Sequence, residues 1–110
     1  MDFMTAVKTC FAKYADFSGR ATRPEFWWFV LFEVIVLVVA QLIHDYVYVL
    51  AALGLLLPAL AVGARRLHDI GKSGWFQLLS VIPLVNLVLI YFFVQPSQPE
   101  ANNFGAPPAA

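Results

Sequence analysis

The first part of the chain alternates between apolar and polar positions with the period of an α-helix. Apolar side chains recur at spacings of three and four residues: Phe3, Met4, Val7, Cys10, Phe11 and Tyr14. This pattern predicts an amphipathic helix over residues 1–17 that is too polar to cross a bilayer. Because a long apolar segment follows closely, we expect this helix to lie at a membrane surface. A water-soluble helix packed against a partner protein is the alternative.

Three long apolar segments follow, and each has the length of a membrane helix. A membrane-spanning helix needs about 20 mostly apolar residues, and in lipid its backbone must satisfy its own hydrogen bonds. With their flanking residues, the segments predict membrane helices at residues 23–43, 47–70 and 74–94. Thr22 and Glu25 have the spacing of a capping box, which supports a helix start near residue 23.

Together these elements predict an all-α integral membrane protein, with an N-terminal amphipathic interfacial helix and three transmembrane helices. The chain has 110 residues, so residues 1–94 are expected to form a single membrane domain. The short connection at residues 44–46 makes the first two membrane helices an antiparallel hairpin. Residues 95–110 are polar and contain several prolines, which predicts a flexible tail.

The composition favours lipid over water as the surroundings of this chain. Hydrophobic residues make up 61% and charged residues 13% of the sequence, whereas soluble domains carry about 25% charged residues. The formal net charge is zero, so we expect no surface for nucleic acid, which needs a basic face. Cys10 is the single cysteine, so no disulfide can form within the chain, and we expect a small apolar residue that is buried or faces lipid.

Lysine and arginine residues lie on one side of the predicted membrane helices. Four of the seven lie before or at the start of the first helix, and Arg65, Arg66 and Lys72 follow the second. The turn at residues 44–46 and the tail contain none. Since such residues are retained in the cytoplasm, three crossings place the N-terminus and the loop after the second helix inside. The same crossings place the turn and the C-terminal tail outside.

The segment ARRLHDIGKSGW contains fragments of two catalytic motifs. HDIGK matches the metal-binding core of HD-type phosphohydrolases, but such a site needs further ligands, and the other histidine, His44, is predicted across the membrane. GKS matches the end of a phosphate-binding P-loop, but Arg66 stands where that motif requires its first glycine. The sequence offers no nucleophile–base pair or set of metal ligands. We therefore predict no enzymatic activity, no cofactor and no metal.

The same segment also has the residues of a helix end followed by a helix start. Asp69 lies four and three residues after Arg65 and Arg66, within pairing distance on one helix. Gly71 suits the position just after a helix, and Ser73 is a suitable cap for the next one. The segment is therefore predicted to stop one helix, turn and start another.

Basic residues of this segment offer a lipid-binding interpretation. Arg65, Arg66 and Lys72 surround a predicted helix start at the inner membrane interface, where the phosphate of an anionic headgroup would bind. Anchoring by the positive-inside rule alone is the alternative. Glu25 is predicted at the same level as Arg65, so we expect an ion pair between these two helices.

Glu33 is the residue of the predicted membrane helices with the highest free-energy cost of insertion into lipid. It lies in the middle of the first one, where a carboxyl group is expected to face other helices. Depth matching makes Asn86, in the third helix, its predicted partner. Glu33 either joins helices through this hydrogen bond or lines a path for ions or protons, which would require several copies of the chain.

Three segments together resemble a known family. FSGRATRPEFWWF, then ARRLHDIGKSGWFQLL with IP after it, and finally EANNFG are similar to the domain of unknown function 805 (DUF805) family of small bacterial inner-membrane proteins. The resemblance covers roughly residues 1–105. It rests on Gly19, Arg20, Arg23, Glu25, Trp27 or Trp28, Arg65, Arg66, Leu67, His68, Asp69, Trp75, Pro83, Asn103 and Gly105. It implies a protein with several membrane helices and no established activity.

Most of these motif residues fall at the inner interface, where the predicted topology brings them together. The predicted polar cluster consists of Arg20, Arg23, Glu25, Arg65, Arg66, His68, Asp69 and Lys72. We interpret the chain as a non-enzymatic accessory protein that uses this cluster to bind membrane lipid, including anionic headgroups, or an unknown membrane protein or a second copy of itself. The alternative is an oligomeric transporter or channel that uses Glu33 and Asn86.

Overall fold

Helices make up most of residues 2–107, the part of the chain that the computed structural model describes. Their order is α1 (Phe3–Ala12), α2 (Arg23–Ile43), α3 (Asp45–Asp69), a 3₁₀ helix (Gly74–Val81) and α4 (Asn86–Phe93). Between residues 2 and 107 there is no strand, only an isolated β-bridge that joins Asn102 to Gly105. The all-α prediction is therefore confirmed.

The N-terminal helix α1 is shorter than the predicted helix over residues 1–17, of which Met1 lies outside the described residues. Asp2 caps α1 by accepting a hydrogen bond from the Thr5 amide at 2.8 Å, and the helix ends at Ala12. Beyond it, the Asp16 carboxylate accepts hydrogen bonds from the amide and the hydroxyl of Ser18, at 3.0 and 2.7 Å. This local turn competes with the helix, because Asp and Ser side chains offer the backbone other hydrogen bonds.

Aromatic rings hold α1 against the first half of α2. Phe11 contacts Phe29 and Phe32 edge-on, with ring centroids 5.8 and 5.6 Å apart. Phe3 contacts Trp28 in the same way, at 5.8 Å. Pairs of this kind contribute about 0.5–1.5 kcal/mol each beyond their buried area. Much of the apolar face of α1 is therefore covered by its own chain.

α2 and α3 form the predicted antiparallel hairpin, and both are long and apolar enough to cross a membrane. Thr22 caps α2 by accepting from the Glu25 amide, and His44 caps α3 by accepting through Nδ1 from the Tyr46 amide at 3.1 Å. With 25 residues, α3 extends about 37 Å at the usual helical rise. A bilayer has about 30 Å of hydrocarbon, so α3 is longer than the apolar layer is thick.

The third apolar segment is not the continuous membrane helix predicted for residues 74–94. It consists of the 3₁₀ helix, a turn and α4, and each helix has only eight residues, too few to cross a bilayer. Pro83 explains the interruption, because it lacks an N–H and keeps the preceding residue extended; Ile82 has φ −99° and ψ 116°. Leu84 then adopts a left-handed φ of 68°, a conformation typical of tight turns.

The two halves of this segment lie side by side. The ring of Phe76 in the 3₁₀ helix contacts that of Phe92 in α4, with centroids 6.0 Å apart. The ammonium of Lys72, just before the 3₁₀ helix, lies 5.6 Å from the centre of the same Phe92 ring. Gly74 allows the segment to approach α3, since a Cβ there would lie 2.9 Å from that of Ala64. The segment is thus a hairpin that leaves the end of α3 and returns to it.

The hairpin brings the C-terminal tail to the end of α3. The Gln98 amide donates to the Asp69 carbonyl at 3.1 Å, and the Asn102 side chain donates to the His68 carbonyl at 2.9 Å. The tail therefore lies at the end of α3 that carries Arg65 and Arg66, whereas the prediction placed it at the opposite end of the membrane helices, and the reason is the reversal at Pro83. The same contacts also order residues that were predicted as part of a flexible tail; residues 108–110 of that tail lie outside the described residues.

Candidate functional site

A buried ion pair joins the start of α2 to the end of α3. Arg65 and Glu25 form it, as predicted from their common level, and their side chains are 0% and 5% exposed. Arg65 also donates from Nε to the Asp16 carbonyl at 3.1 Å. This guanidinium therefore ties together α2, α3 and the segment that follows α1.

The Asp69 carboxylate, at the end of α3, bridges two further arginines. One oxygen accepts from Arg20 Nε and the other from Arg66 Nη1, both at 2.9 Å. The Ser97 hydroxyl, in the tail, donates to the second oxygen as well. All three charged side chains are buried. Without this carboxylate, two guanidinium groups would be buried close together with no counter-charge, which is strongly unfavourable.

Carbonyl groups of the tail occupy most of the remaining donors of Arg20. Its Nη1 donates to the carbonyls of Glu100 and Gly105 at 2.9 and 3.2 Å. Its Nη2 donates to the carbonyls of Asp69 and Gln98 at 3.2 and 2.6 Å. A guanidinium has five N–H groups, and together with the bond from Nε this geometry uses every one of them.

Arginines also hold the end of α4. Arg66 donates from Nε to the Phe93 carbonyl at 3.2 Å and from Nη2 to the Gln95 carbonyl. Arg23 donates from Nη1 to the Val94 carbonyl at 3.2 Å. Carbonyls at a helix C-terminus have no partner in their own helix, and cations are favoured there. We call the set of Arg20, Arg66 and Asp69 with residues 93–105 the tail clasp.

His68 lies beside the tail clasp with a fixed ring. Its Nδ1 is 2.9 Å from the Gly19 carbonyl, and a carbonyl can only accept, so Nδ1 carries the proton. The ring stacks on Phe104 with centroids 4.0 Å apart and planes 1° from parallel. In the neutral tautomer Nε2 is then an acceptor. His68 also lines a pocket of about 570 Å³ between α3 and the 3₁₀ helix.

Comparison with known proteins identifies the family of this chain. The family described as "Protein of unknown function (DUF805)" matches residues 14–106. The chain belongs to the DUF805 family. It is similar to two proteins of Escherichia coli (strain K12). Inner membrane protein YhaI is 38% identical over 103 residues, which cover 86% of this chain and 87% of the relative. Inner membrane protein YhaH is 36% identical over 107 residues, which cover 86% and 88%.

No solved structure matches this DUF805 chain. The family match and the two relatives confirm the resemblance that the three sequence segments carry. With two helices that can cross a bilayer, the chain is a small inner-membrane protein of a family of unknown function.

The DUF805 chain brings predicted polar residues together but buries most of them. The buried members are Arg20, Glu25, Arg65, Arg66 and Asp69. Arg23 and Lys72 remain exposed, and His68 is half-buried. Arg65 and Arg66 are both 0% exposed, so neither guanidinium is accessible at the surface to the lipid phosphate that the sequence-based interpretation requires.

Glu33 and Asn86 are not brought together as the predicted intramembrane pair. Within residues 2–107 no hydrogen bond or ion pair joins them. Glu33 is half-buried in α2, while Asn86 is exposed in the first turn of α4. The reason is again the reversal at Pro83, because it removes the continuous helix from which depth matching assigned Asn86 its level.

Sequence reasoning missed the tail as a partner of the arginines. Most of the atoms that Arg20 and Arg66 bind are backbone carbonyls, which every residue has and no residue type reveals. One signal was present in the family motif EANNFG. Gly105 in that motif has a φ of 123°, a conformation that favours glycine, and its carbonyl is one of those that Arg20 binds.

The cluster offers hydrogen-bond donors rather than metal ligands. Among the described residues, no group of three or more His, Cys, Asp or Glu side chains is placed to hold a metal ion. The chemistry available from Arg20, Arg65 and Arg66 is the binding of carbonyl and carboxylate oxygens, and groups of the same chain provide those oxygens.

We expect Cys10 to resist thiol reagents in the folded protein. It is 0% exposed, and its Sγ lies 3.9 Å from the Glu25 carboxylate. Burial, and then the negative charge of Glu25, raises the pKa of the Cys10 thiol to about 12, so little of the reactive thiolate exists near neutral pH. A maleimide should label Cys10 at least about 100-fold more slowly than in the unfolded chain, given this loss of thiolate and access.

The control for this labelling is a cysteine placed at an exposed position of the same segment. Ala15 is exposed beyond the end of α1, so Ala15→Cys should add one rapidly labelled thiol. Equal labelling rates at positions 10 and 15 in the folded protein would contradict the packing of α1 on α2.

Proposed function

We propose that the protein is a non-enzymatic accessory protein of the inner membrane that contacts anionic lipid headgroups at the cytoplasmic surface. In this proposal α2 and α3 cross the membrane, the third apolar segment enters and leaves on one side, and both chain termini are cytoplasmic. The positive-inside rule supports this orientation, because all seven Lys and Arg residues precede α2, begin it, or lie at the end of α3 or just after it.

The exposed cations beside the tail clasp carry the proposal. Arg23 and Lys72 both flank the end of α4, one through the Val94 carbonyl and the other over the Phe92 ring. Both side chains are exposed, while the clasp arginines are satisfied within the chain. Lys8 and Lys13 on and just after α1 are exposed as well. A cation close to an anionic membrane surface contributes about 1 kcal/mol of binding free energy.

The test compares two phospholipids that differ in net charge. Purified full-length protein is titrated with phosphatidylglycerol and with phosphatidylethanolamine of the same acyl chains. We expect tighter binding of the anionic lipid, and Arg23→Gln and Lys72→Gln should each reduce that preference about fivefold. Added salt should weaken it in the same direction.

The matched control exchanges the two cations without changing the charge. Arg23→Lys with Lys72→Arg should keep the preference for the anionic lipid. If the two Gln variants bind both lipids as the unaltered protein does, Arg23 and Lys72 do not provide the headgroup contact.

A further inference from the structure

A pocket opens at the end of α3, beside the tail clasp. Its volume is about 570 Å³, within the range of about 300–1,000 Å³ that small-molecule sites have. Its wall includes Phe17, Leu60, Ala64, His68, Trp75 and Leu78. Ser73, Gln77 and His68 are the polar side chains of the lining, and the rest of it is mostly apolar or aromatic. The pocket therefore suits an apolar chain that ends in a polar group.

The position of the pocket gives a lipid direct access. Leu60 belongs to α3 and Leu78 to the 3₁₀ helix, and both are exposed. The proposed function places both segments in the hydrocarbon layer. Trp75, at the rim, is 79% exposed, and tryptophan is enriched at the level of lipid headgroups. An acyl chain can therefore enter from the bilayer without crossing water.

The polar end of the pocket is a hydrogen-bond acceptor. In the neutral imidazole, with Nδ1 donating to the Gly19 carbonyl, Nε2 holds a lone pair. Stacking on Phe104 fixes the direction of this lone pair. Gly74 keeps Nε2 accessible: a Cβ at that position would lie 3.5 Å from it. A group that binds at His68 Nε2 must therefore be a donor.

We propose that the pocket binds one phospholipid whose headgroup carries a hydrogen-bond donor, an ammonium or a hydroxyl. One acyl chain lies along Leu60 and Leu78, and the headgroup donates to His68 Nε2. This site deepens the proposed function and rests on its placement of this end of α3 at the headgroup level. It differs in what it selects, since the pocket requires a donor whereas the exposed cations require a negative charge.

Two zwitterionic lipids separate these requirements. Phosphatidylethanolamine has an ammonium donor, whereas phosphatidylcholine of the same acyl chains has none. Lipid-depleted full-length protein should bind the former about tenfold more tightly, through the hydrogen bond to His68 Nε2. Phosphatidylglycerol, with hydroxyl donors, should also be bound more tightly than phosphatidylcholine, and it tests the second kind of donor.

Three variants test the residues. His68→Asn keeps a donor near the Gly19 carbonyl but removes the acceptor at Nε2, so it should abolish the preference for phosphatidylethanolamine over phosphatidylcholine. Leu60→Trp should fill the pocket and weaken binding of both lipids. Leu56→Trp, one turn earlier on α3 and also exposed, is the matched control and should change neither.

Each outcome decides between the two proposals. Equal binding of phosphatidylethanolamine and phosphatidylcholine by the unaltered protein would overturn the pocket proposal, and so would an unchanged preference in His68→Asn. A preference for phosphatidylglycerol alone would overturn the pocket and leave the contact by exposed cations standing. A preference for phosphatidylethanolamine that His68→Asn removes supports the pocket, even if Arg23→Gln and Lys72→Gln have no effect.

Discussion

Replacing Asp69 by Asn should lower the free energy of unfolding by about 3–5 kcal/mol, the usual cost of leaving a buried charge without its partner. The Asp69 carboxylate lies 2.9 Å from both Arg20 and Arg66. Asn at this position retains one acceptor oxygen but carries no charge, and its amide nitrogen would face a guanidinium donor. The buried guanidiniums of Arg20 and Arg66 would then repel each other. Both of them hold the tail in place through hydrogen bonds.

Thermal unfolding in one detergent, followed by tryptophan fluorescence, measures this loss. For a domain of this size we expect a decrease in melting temperature of at least about 10 °C. Asp45→Asn is the matched control, since Asp45 is an exposed carboxylate at the other end of α3 and its partner Gln41 can also bind an amide oxygen. A second substitution, Arg66→Met, should recover part of the stability of Asp69→Asn by removing one of the two buried charges.

A decrease no larger than that of Asp45→Asn would mean that the Asp69 bridge is hydrated in the detergent-solubilised protein. The same result would show that the ion pairs of Arg20 and Arg66 with Asp69 contribute little to stability. Lipid contact by Arg20 and Arg66 would then regain its support.

Local sequence signals predicted the part of the fold that depends on neighbouring residues. The Thr22 cap and the turn at His44 act within a few residues, so residue type and spacing are sufficient to place them. Glu25 and Arg65 are distant in sequence, but two helices joined by a tight turn must place them at the same level. The ion pair between them followed from that geometry.

The third apolar segment shows why hydropathy alone was insufficient. A count of apolar residues measures how much chain can lie in hydrocarbon, and it gives the same value for a crossing helix and for a hairpin that turns back. Pro83 was visible in the sequence, but proline occurs in membrane helices without breaking them. The close approach of Gly74 to Ala64 and the contact between Phe76 and Phe92 select the hairpin, and both are tertiary contacts.

The ordered conformation of the tail was not predicted, for a related reason. Its composition is that of a flexible segment, and by itself it has little apolar surface to bury. The tail is ordered by hydrogen bonds from Arg20. A sequence analysis places this residue at the surface, because arginine is rarely buried. Arg20 is buried in its ion pair with Asp69, so its remaining N–H groups need acceptors. The tail carbonyls provide most of these acceptors.

A cysteine near the C-terminus should be inaccessible from outside an intact cell, whereas three crossings would make it fully accessible. Ala106 is exposed just beyond the tail clasp, so Ala106→Cys reports the side of the tail in the full-length chain. A membrane-impermeant maleimide should label it only after the inner membrane is opened. Asp45→Cys, at the first residue of α3, should react in cells whose outer membrane has been made permeable while the inner membrane is intact.

The native Cys10 is buried and should give no background in this experiment. Ala15→Cys, before α2, marks the side that the proposed function makes cytoplasmic. Labelling of Ala106→Cys together with Asp45→Cys would show a third crossing and would exclude the tail clasp in the membrane. The two results cannot coexist: Arg20 precedes α2, and it cannot bind the carbonyls of Gln98, Glu100 and Gly105 from the opposite side of a bilayer. The side on which Ala106→Cys reacts therefore determines both the topology and the partners of the buried arginines.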